Sequence, residues 1–371
     1  MSGPKNMTLQ QLLSDLAPLA VSQSEGPVHS QICSIQYSPQ FTLLMNTFRG
    51  VLAADNGEGE LSARTHAFVA HVIEANAANY TAWHFRRRTL RAGFGCATSP
   101  SLLPPPPPPL STTTNNNTAN LPPDTIIQEL EFTEEVGGTN PKNYQVWYHR
   151  RAVISMHLPS SDMILSELFY IDSVLEEDAK NYHAWSHRQW LVNDYTASCL
   201  ESGVDLIKHE YETVEKLLAL DWRNNSGWNH RWFLWNLNND NDNDNLVVFE
   251  REAEYAKTVI LADKHNESPF KYLRGVMSKL WAMVGGEGDE LGEQIKSWVI
   301  DLRLNSTKSN DTNMPPPPSG AGPTESIHVL SLLCDISEHE GDSENVKSLC
   351  DKLKLLDEVR VKYWEWRKQF E

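Results

Sequence analysis

Cysteine is scarce and scattered. Cys33, Cys96, Cys199, Cys334 and Cys350 include no C-x-x-C pair, so neither a disulfide framework nor a thiolate zinc cage is suggested. Long apolar runs are missing as well: no stretch approaches the roughly 20 residues a membrane span needs, and no signal peptide is visible at Met1. Strand-type alternation and hairpin dipeptides are rare, which leaves little from which to build a sheet. Positive charge is in deficit, with 32 Lys and Arg against 49 Asp and Glu for a formal charge of −17. Such a balance argues against general nucleic-acid or anionic-membrane binding. Local basic clusters, Arg86-Arg87-Arg88 and His149-Arg150-Arg151, remain available to present positive charge at one site. Together these absences predict a soluble, cytoplasmic chain.

What the sequence has instead is one phrase written repeatedly. Asn79-Tyr80-Thr81-Ala82-Trp83, Asn143-Tyr144-Gln145-Val146-Trp147 and Asn181-Tyr182-His183-Ala184-Trp185 are each followed by arginine three residues on, at Arg86, Arg150 and Arg188. A fourth copy ends at Trp228 with Arg231, and a fifth has Phe270 in the Trp slot, with Tyr272 and Arg274. The steps are 64, 38, 43 and 42 residues. The long first step holds a proline run and a Ser/Thr/Asn stretch; without that insertion of roughly 25 residues the period is about 40, within the range of two-helix repeats.

Asparagine stands four residues before the aromatic in all five copies, where its side chain can cap a helix. From that start, Tyr144, Trp147 and Arg150 or Arg151 are expected along one stripe. Before each phrase lies an amphipathic run, such as Ile164, Leu168, Ile171 and Leu175, which predicts the first helix of each pair. Pro269 is tolerable because the first helical turn has no internal N–H bond to lose. The pattern therefore predicts an all-α fold: a solenoid of antiparallel helix pairs, each pair burying its face on the next.

The expected organisation is a flexible segment over 1–34, in which Leu9 to Ala17 could form a short helix, and one helical-repeat domain over 35–371. Insertions at about 98–123, 236–245 and 305–323 have compositions that cannot build a core. His149, His187 and His230 recur two residues after Trp, which reads as scaffold rather than as a metal site. The series Trp83, Trp147, Trp185 and Trp228 reads as core. Arg150, Arg188 and Arg231 read as structural cations pairing with acidic residues or carbonyls of the adjacent repeat. Gly227 reads as an unhelpful helix residue.

N-Y-x-x-W-x-x-R-R at this spacing resembles the signature of protein prenyltransferase α subunits, and its wording resembles the α subunit shared by farnesyltransferase and type I geranylgeranyltransferase. The stretches that carry the likeness are Asn76 to Arg87, Pro141 to Arg151, Asp178 to Trp190, Arg223 to Asn229, His265 to Ser268 and Arg360 to Trp364. The resemblance implies a right-handed, tetratricopeptide-like crescent wrapping a β subunit, and transfer of a farnesyl or geranylgeranyl group from its diphosphate to the cysteine of C-terminal Cys-aliphatic-aliphatic-X proteins such as small GTPases. It further implies Zn2+ held by the β subunit, Mg2+ used for farnesyl transfer, and no metal bound by this chain. By the same likeness Lys142 contacts the isoprenoid diphosphate, with Tyr144, Tyr182 and His183 on the diphosphate side. Gln145 meets the peptide's terminal carboxylate, and Tyr80 and Ala78 lie near the pocket for its last side chain.

Other readings stay open on the residues themselves. Tyr80, Tyr144 and Tyr182 share one repeat position, so packing between repeats also accounts for them. Lys142 has Lys180 as its repeat equivalent, so it also fits a solvated loop lysine. A Rab-type geranylgeranyltransferase α subunit shares the repeats with different acceptors, and a non-catalytic scaffold satisfies the solenoid physics.

Overall fold

The computed structural model describes residues 18–19, 36–94, 121–237, 246–283, 287–308 and 325–369. The possible helix at Leu9 to Ala17 and the proline and Asn/Asp-rich runs lie outside these residues. Every regular element among the described residues is helical. In chain order they are α1 (Pro39–Ala53), α2 (Ala63–Ala75), α3 (Tyr80–Arg91), α4 (Pro123–Thr139), α5 (Tyr144–Ile154), α6 (Ser161–Glu177), α7 (Tyr182–Glu201) and α8 (Leu206–Leu220). There follow α9 (Asn225–Leu237), α10 (Leu246–Ala262), α11 (Glu267–Ala282), α12 (Glu287–Lys308), α13 (Ile327–His339), α14 (Ser343–Leu356) and α15 (Val361–Arg367). Two compact units divide the chain, 1–191 and 192–371.

The asparagines begin the helices. Asn79 accepts the Ala82 N–H at 3.2 Å, Asn143 that of Gln145 at 2.8 Å, Asn181 that of His183 at 3.0 Å, Asn224 that of Ser226 at 3.0 Å and Asn266 that of Ser268 at 3.2 Å. Each bond satisfies a first-turn donor that the helix leaves unpaired. The same side chains work twice. In the first unit Asn143 Nδ2 donates to the Ala77 carbonyl at 2.8 Å, and Asn181 Nδ2 to the Pro141 carbonyl at 3.2 Å. These carbonyls also accept the indole N–H of Trp83 and of Trp147, at 2.9 and 2.8 Å. In the second unit the Trp222 carbonyl takes Trp228 and Asn266 alike, at 2.8 Å each. One oxygen thus ties a repeat's own tryptophan to the start of the next repeat's second helix.

Trp83, Trp147, Trp185 and Trp228 are buried, as are Ile164, Leu168, Ile171 and Leu175 on α6. In the first unit Leu44, Phe48 and Val51 of α1 close on Phe68, Val72 and Ile73 of α2 and on Trp83 and Phe85 of α3, with Val136 and Val146 following. Burial of such side chains contributes about 1.5–3 kcal/mol each.

Between the repeats runs a buried polar seam. Arg86 binds Glu129 of α4 through Nε (2.8 Å) and Nη2 (2.6 Å), and Glu129 also accepts His149 Nε2 at 2.9 Å. Arg150 binds Glu167 of α6 through Nε (2.8 Å) and Nη2 (2.5 Å), and Glu167 accepts His187 Nε2 at 2.8 Å. In the second unit Arg231 Nε binds Glu252 at 2.7 Å, Tyr272 takes the histidine slot with its hydroxyl 2.6 Å from Glu252, and His230 binds Glu210 at 2.8 Å. Arg188 Nη1 meets Asp172 at 2.5 Å. Aromatic rings three residues after three of these glutamates cover the guanidiniums: Phe132 over Arg86 at 4.1 Å, Tyr170 over Arg150 at 3.7 Å and Tyr255 over Arg231 at 3.9 Å. Fully desolvated ions demand such complete pairing.

Four details depart from expectation. Tyr144 does not join the stripe of Trp147 and Arg150, being 67 % exposed, because a first-turn side chain leans past the helix end, where no preceding turn covers it. Arg274 stands one residue beyond the position of the other arginines; it is partly exposed and pairs with Asp335 at 2.9 Å. Gly227 is needed where it stands, since a Cβ there would come within 2.9 Å of Leu218 Cδ2 on α8. The helices also run further than the insertion boundaries allowed: α9 continues to Leu237, α12 to Lys308, and α4 opens at Pro123, a first-turn position that suits proline. Leu121, placed in the first insertion, is buried against Leu90, Ile126, Val153 and Met156.

Candidate functional site

The four-residue turns 76–79, 140–143 and 178–181 of the first unit deliver the starts of α3, α5 and α7 to one edge. The Asn143-to-Ala77 and Asn181-to-Pro141 bonds hold those starts side by side. None of the three helices carries an acidic residue in its first turn, so their unpaired N–H groups leave the edge partially positive. Along it stand the residues singled out from the sequence. Tyr80, Tyr144 and Tyr182 occupy the first helical position of their repeats and are 71, 67 and 70 % exposed. Packing between repeats therefore does not account for them. In the fourth and fifth repeats that position holds Asn225 and Glu267, so the tyrosine row is confined to the first unit.

Tyr144 and His183 meet edge to face, with ring centroids 4.2 Å apart, and Tyr182 lies 5.6 Å from the same imidazole. Burial holds His183 below the usual histidine value, so the ring is neutral at neutral pH. Lys142, one residue before the cap Asn143, is 73 % exposed, and its Nζ lies 3.0 Å from Asp178 Oδ2. The bond from Lys142 keeps the Asp178 carboxyl below its ordinary range. Gln145 is half-buried in the first turn of α5. Ala78 and Tyr80 sit one turn along the edge from this group, and Ala78 N–H closes a turn on Asn76 Oδ1 at 3.2 Å.

Chemically the edge offers two ammoniums, Lys142 and Lys180, a neutral imidazole, three phenols, a carboxamide and three helix starts. That set suits an anion with several oxygens. It offers no metal cage: among the described residues no group of three or more His, Cys, Asp or Glu side chains could hold an ion. Also among them, no helix is long and apolar enough to cross a membrane. The residue that sequence reasoning missed is Asp178, the partner of Lys142. Its signal was Asp263, which stands at the same place in the fifth repeat and pairs with Arg223 at 2.6 Å.

Four stretches, 63–93, 126–157, 164–195 and 207–237, match the protein prenyltransferase alpha subunit repeat. They coincide with the pairs α2–α3, α4–α5, α6–α7 and α8–α9. Over these stretches the chain is similar to that repeat. Among curated relatives it is 43 % identical over 79 residues to the protein farnesyltransferase/geranylgeranyltransferase type-1 subunit alpha of Pisum sativum, covering 21 % of either chain. To the subunit of the same name from Candida albicans it is 28 % identical over 151 residues, covering 40 % of this chain and 38 % of that one. The matching stretches thus span between a fifth and two fifths of these relatives. A solved structure, Candida albicans protein geranylgeranyltransferase-I complexed with GGPP, superimposes with a TM-score of 0.64 over 96 % of this chain and 97 % of that one, at 23 % identity. The likeness of fold thus extends over nearly the whole length of both chains.

Proposed function

We propose that this chain is the α subunit of a heterodimeric protein prenyltransferase of the farnesyl/geranylgeranyl type I class. The observation that carries the reading is the grouping of Lys142, Tyr144, Gln145, Tyr182 and His183 on one exposed edge of repeats that match the family. The pair would transfer a farnesyl or geranylgeranyl group from its diphosphate to the cysteine of a C-terminal Cys-aliphatic-aliphatic-X protein, such as a small GTPase. The sulfur–carbon bond forms as the allylic carbon–oxygen bond breaks, and charge gathers on the departing diphosphate.

Lys142 is assigned to that charge, since an ammonium aimed at oxygens that become more negative stabilises the transition state more than the ground state. Tyr144, Tyr182 and neutral His183 donate hydrogen bonds to the same group. Gln145 orients the acceptor's terminal carboxylate, and Tyr80 and Ala78 border its last side chain. Zinc, which would hold and activate the acceptor cysteine's thiolate, and magnesium for farnesyl transfer belong on this reading to the β subunit and the donor rather than to this chain.

The test is co-expression with each candidate β subunit, purification through a tag on the α chain, and assay of labelled farnesyl or geranylgeranyl transfer to a Cys-aliphatic-aliphatic-X peptide. Zinc-dependent transfer by a stable pair is expected, and the donor preferred with each β subunit assigns the chain length. Assembly without transfer, or transfer only to Rab tails with an escort protein, overturns the reading.

A further inference from the structure

We propose that Asp178 is a positioning residue: it fixes the Lys142 ammonium at the place where leaving-group charge develops. The inference rests on the assignment of Lys142 above. Asp178 ends α6, with its own N–H bonded to the Val174 carbonyl at 3.0 Å and its carbonyl accepting Asn181 N–H at 2.9 Å. Oδ1 accepts the Lys180 N–H at 3.2 Å. The carboxylate is thereby locked in a tight turn, and its second oxygen is turned to Lys142 Nζ at 3.0 Å. A lysine on an exposed four-carbon stem has no preferred position of its own. Bonding one of its three N–H groups to a fixed oxygen gives it one and leaves two donors for phosphate oxygens.

The repeats supply an internal control. In the second unit Asp263 Oδ1 accepts the His265 N–H at 3.1 Å while Oδ2 binds Arg223, the same device on turns that bear no tyrosine row. In the first two repeats the turn position is held by Asn76 and Asn140. Asparagine is therefore native to this turn, and Asp178→Asn should fold. The substitution removes negative charge beside the donor's diphosphate and releases the ammonium. Ground-state attraction persists while transition-state placement is lost, which separates KM from kcat.

The experiment is steady-state kinetics of the heterodimer carrying Asp178→Asn, Asp178→Glu, Lys142→Ala or Asp263→Asn, with each variant's melting temperature recorded. For Asp178→Asn the expected result is a kcat lower by about three- to tenfold with a donor KM equal to or below that of the parent. Partial recovery is expected in Asp178→Glu, and parental kinetics in Asp263→Asn. If Lys142→Ala slows transfer while Asp178→Asn keeps its kcat, or raises only KM, the positioning role is overturned and the assignment of Lys142 stands. If Lys142→Ala turns over at the parental rate, the assignment itself falls, and this inference with it.

Discussion

Lys142 and Arg150 lie eight residues apart in one repeat and have opposite fates: the first is 73 % exposed, the second 2 %. Their chemistry follows from that difference. An exposed ammonium can be recruited by an arriving anion, and Lys142→Ala is expected to lower turnover of the assembled enzyme about ten- to a hundredfold while leaving assembly intact, as measured by single-turnover transfer. A buried guanidinium is committed to its carboxylate: burial alone would raise Glu167, but Arg150 and the hydrogen bond from His187 bring it down to about 2. Histidines of the seam behave in the same direction for another reason. Burial holds His149 at about 4, against 6.5 when unfolded, and lowers His66 and His187 as well. As pH falls from 6.5 towards 4 the unfolded chain takes up protons that the folded chain refuses, so stability drops, by up to about 1.4 kcal/mol per pH unit for each such group. Below 4.5 the unfolded carboxylate corresponding to Glu167 adds to the loss. Urea midpoints taken at pH 7.5, 6.0 and 5.0 should decline in that order, with a shallower decline in His149→Gln. The asparagines, tryptophans and arginines were readable in the sequence because each recurs at a fixed offset. The exposure of the tyrosines was not, because it depends on the direction a first-turn side chain takes.

At the scale of elements, the second helix of each pair was legible and the first was less so. Amphipathic spacing located α6 but did not mark Glu167 as the centre of its buried face; the regularity that does so is the interval of 20 residues from Glu129, Glu167 and Glu210 to His149, His187 and His230. Glu129 and Glu167 hold one repeat to the next. Removing one leaves charge buried without a partner, so Glu167→Ala should cost about 3–5 kcal/mol in urea unfolding. Gly227 was misread for a related reason. Helix propensity counts against glycine, yet contact with Leu218 decides the site, and Gly227→Ala should lower the melting temperature although alanine is the better helix former. Leu121, read from the sequence as part of an insertion, is packed into a core cluster. Leu121→Ala should destabilise by about 2–5 kcal/mol, whereas excision of 101–116 should leave the melting temperature of the chain close to that of the parent.

For the molecule as a whole, composition set the limits and repetition supplied the architecture. In a chain at −17, Lys142 and three helix starts nonetheless meet at one edge. An obligate partner would stabilise it by mass action. On the proposed function, the melting temperature of the tagged chain should therefore rise on addition of the proposed β subunit, and the rise should grow with β concentration.

The turns within the first five helix pairs, 76–79, 140–143, 178–181, 221–224 and 263–266, are all four residues long, while the links from one pair to the next range from 202–205 to 92–122. Because in the first unit a shared carbonyl oxygen gauges each turn against its neighbour, length can drift at the far ends of the hairpins without disturbing the spacing of Tyr80, Lys142 and Tyr182. Evolution is free to edit one side of such a chain like a margin, while the other is kept to a ruler.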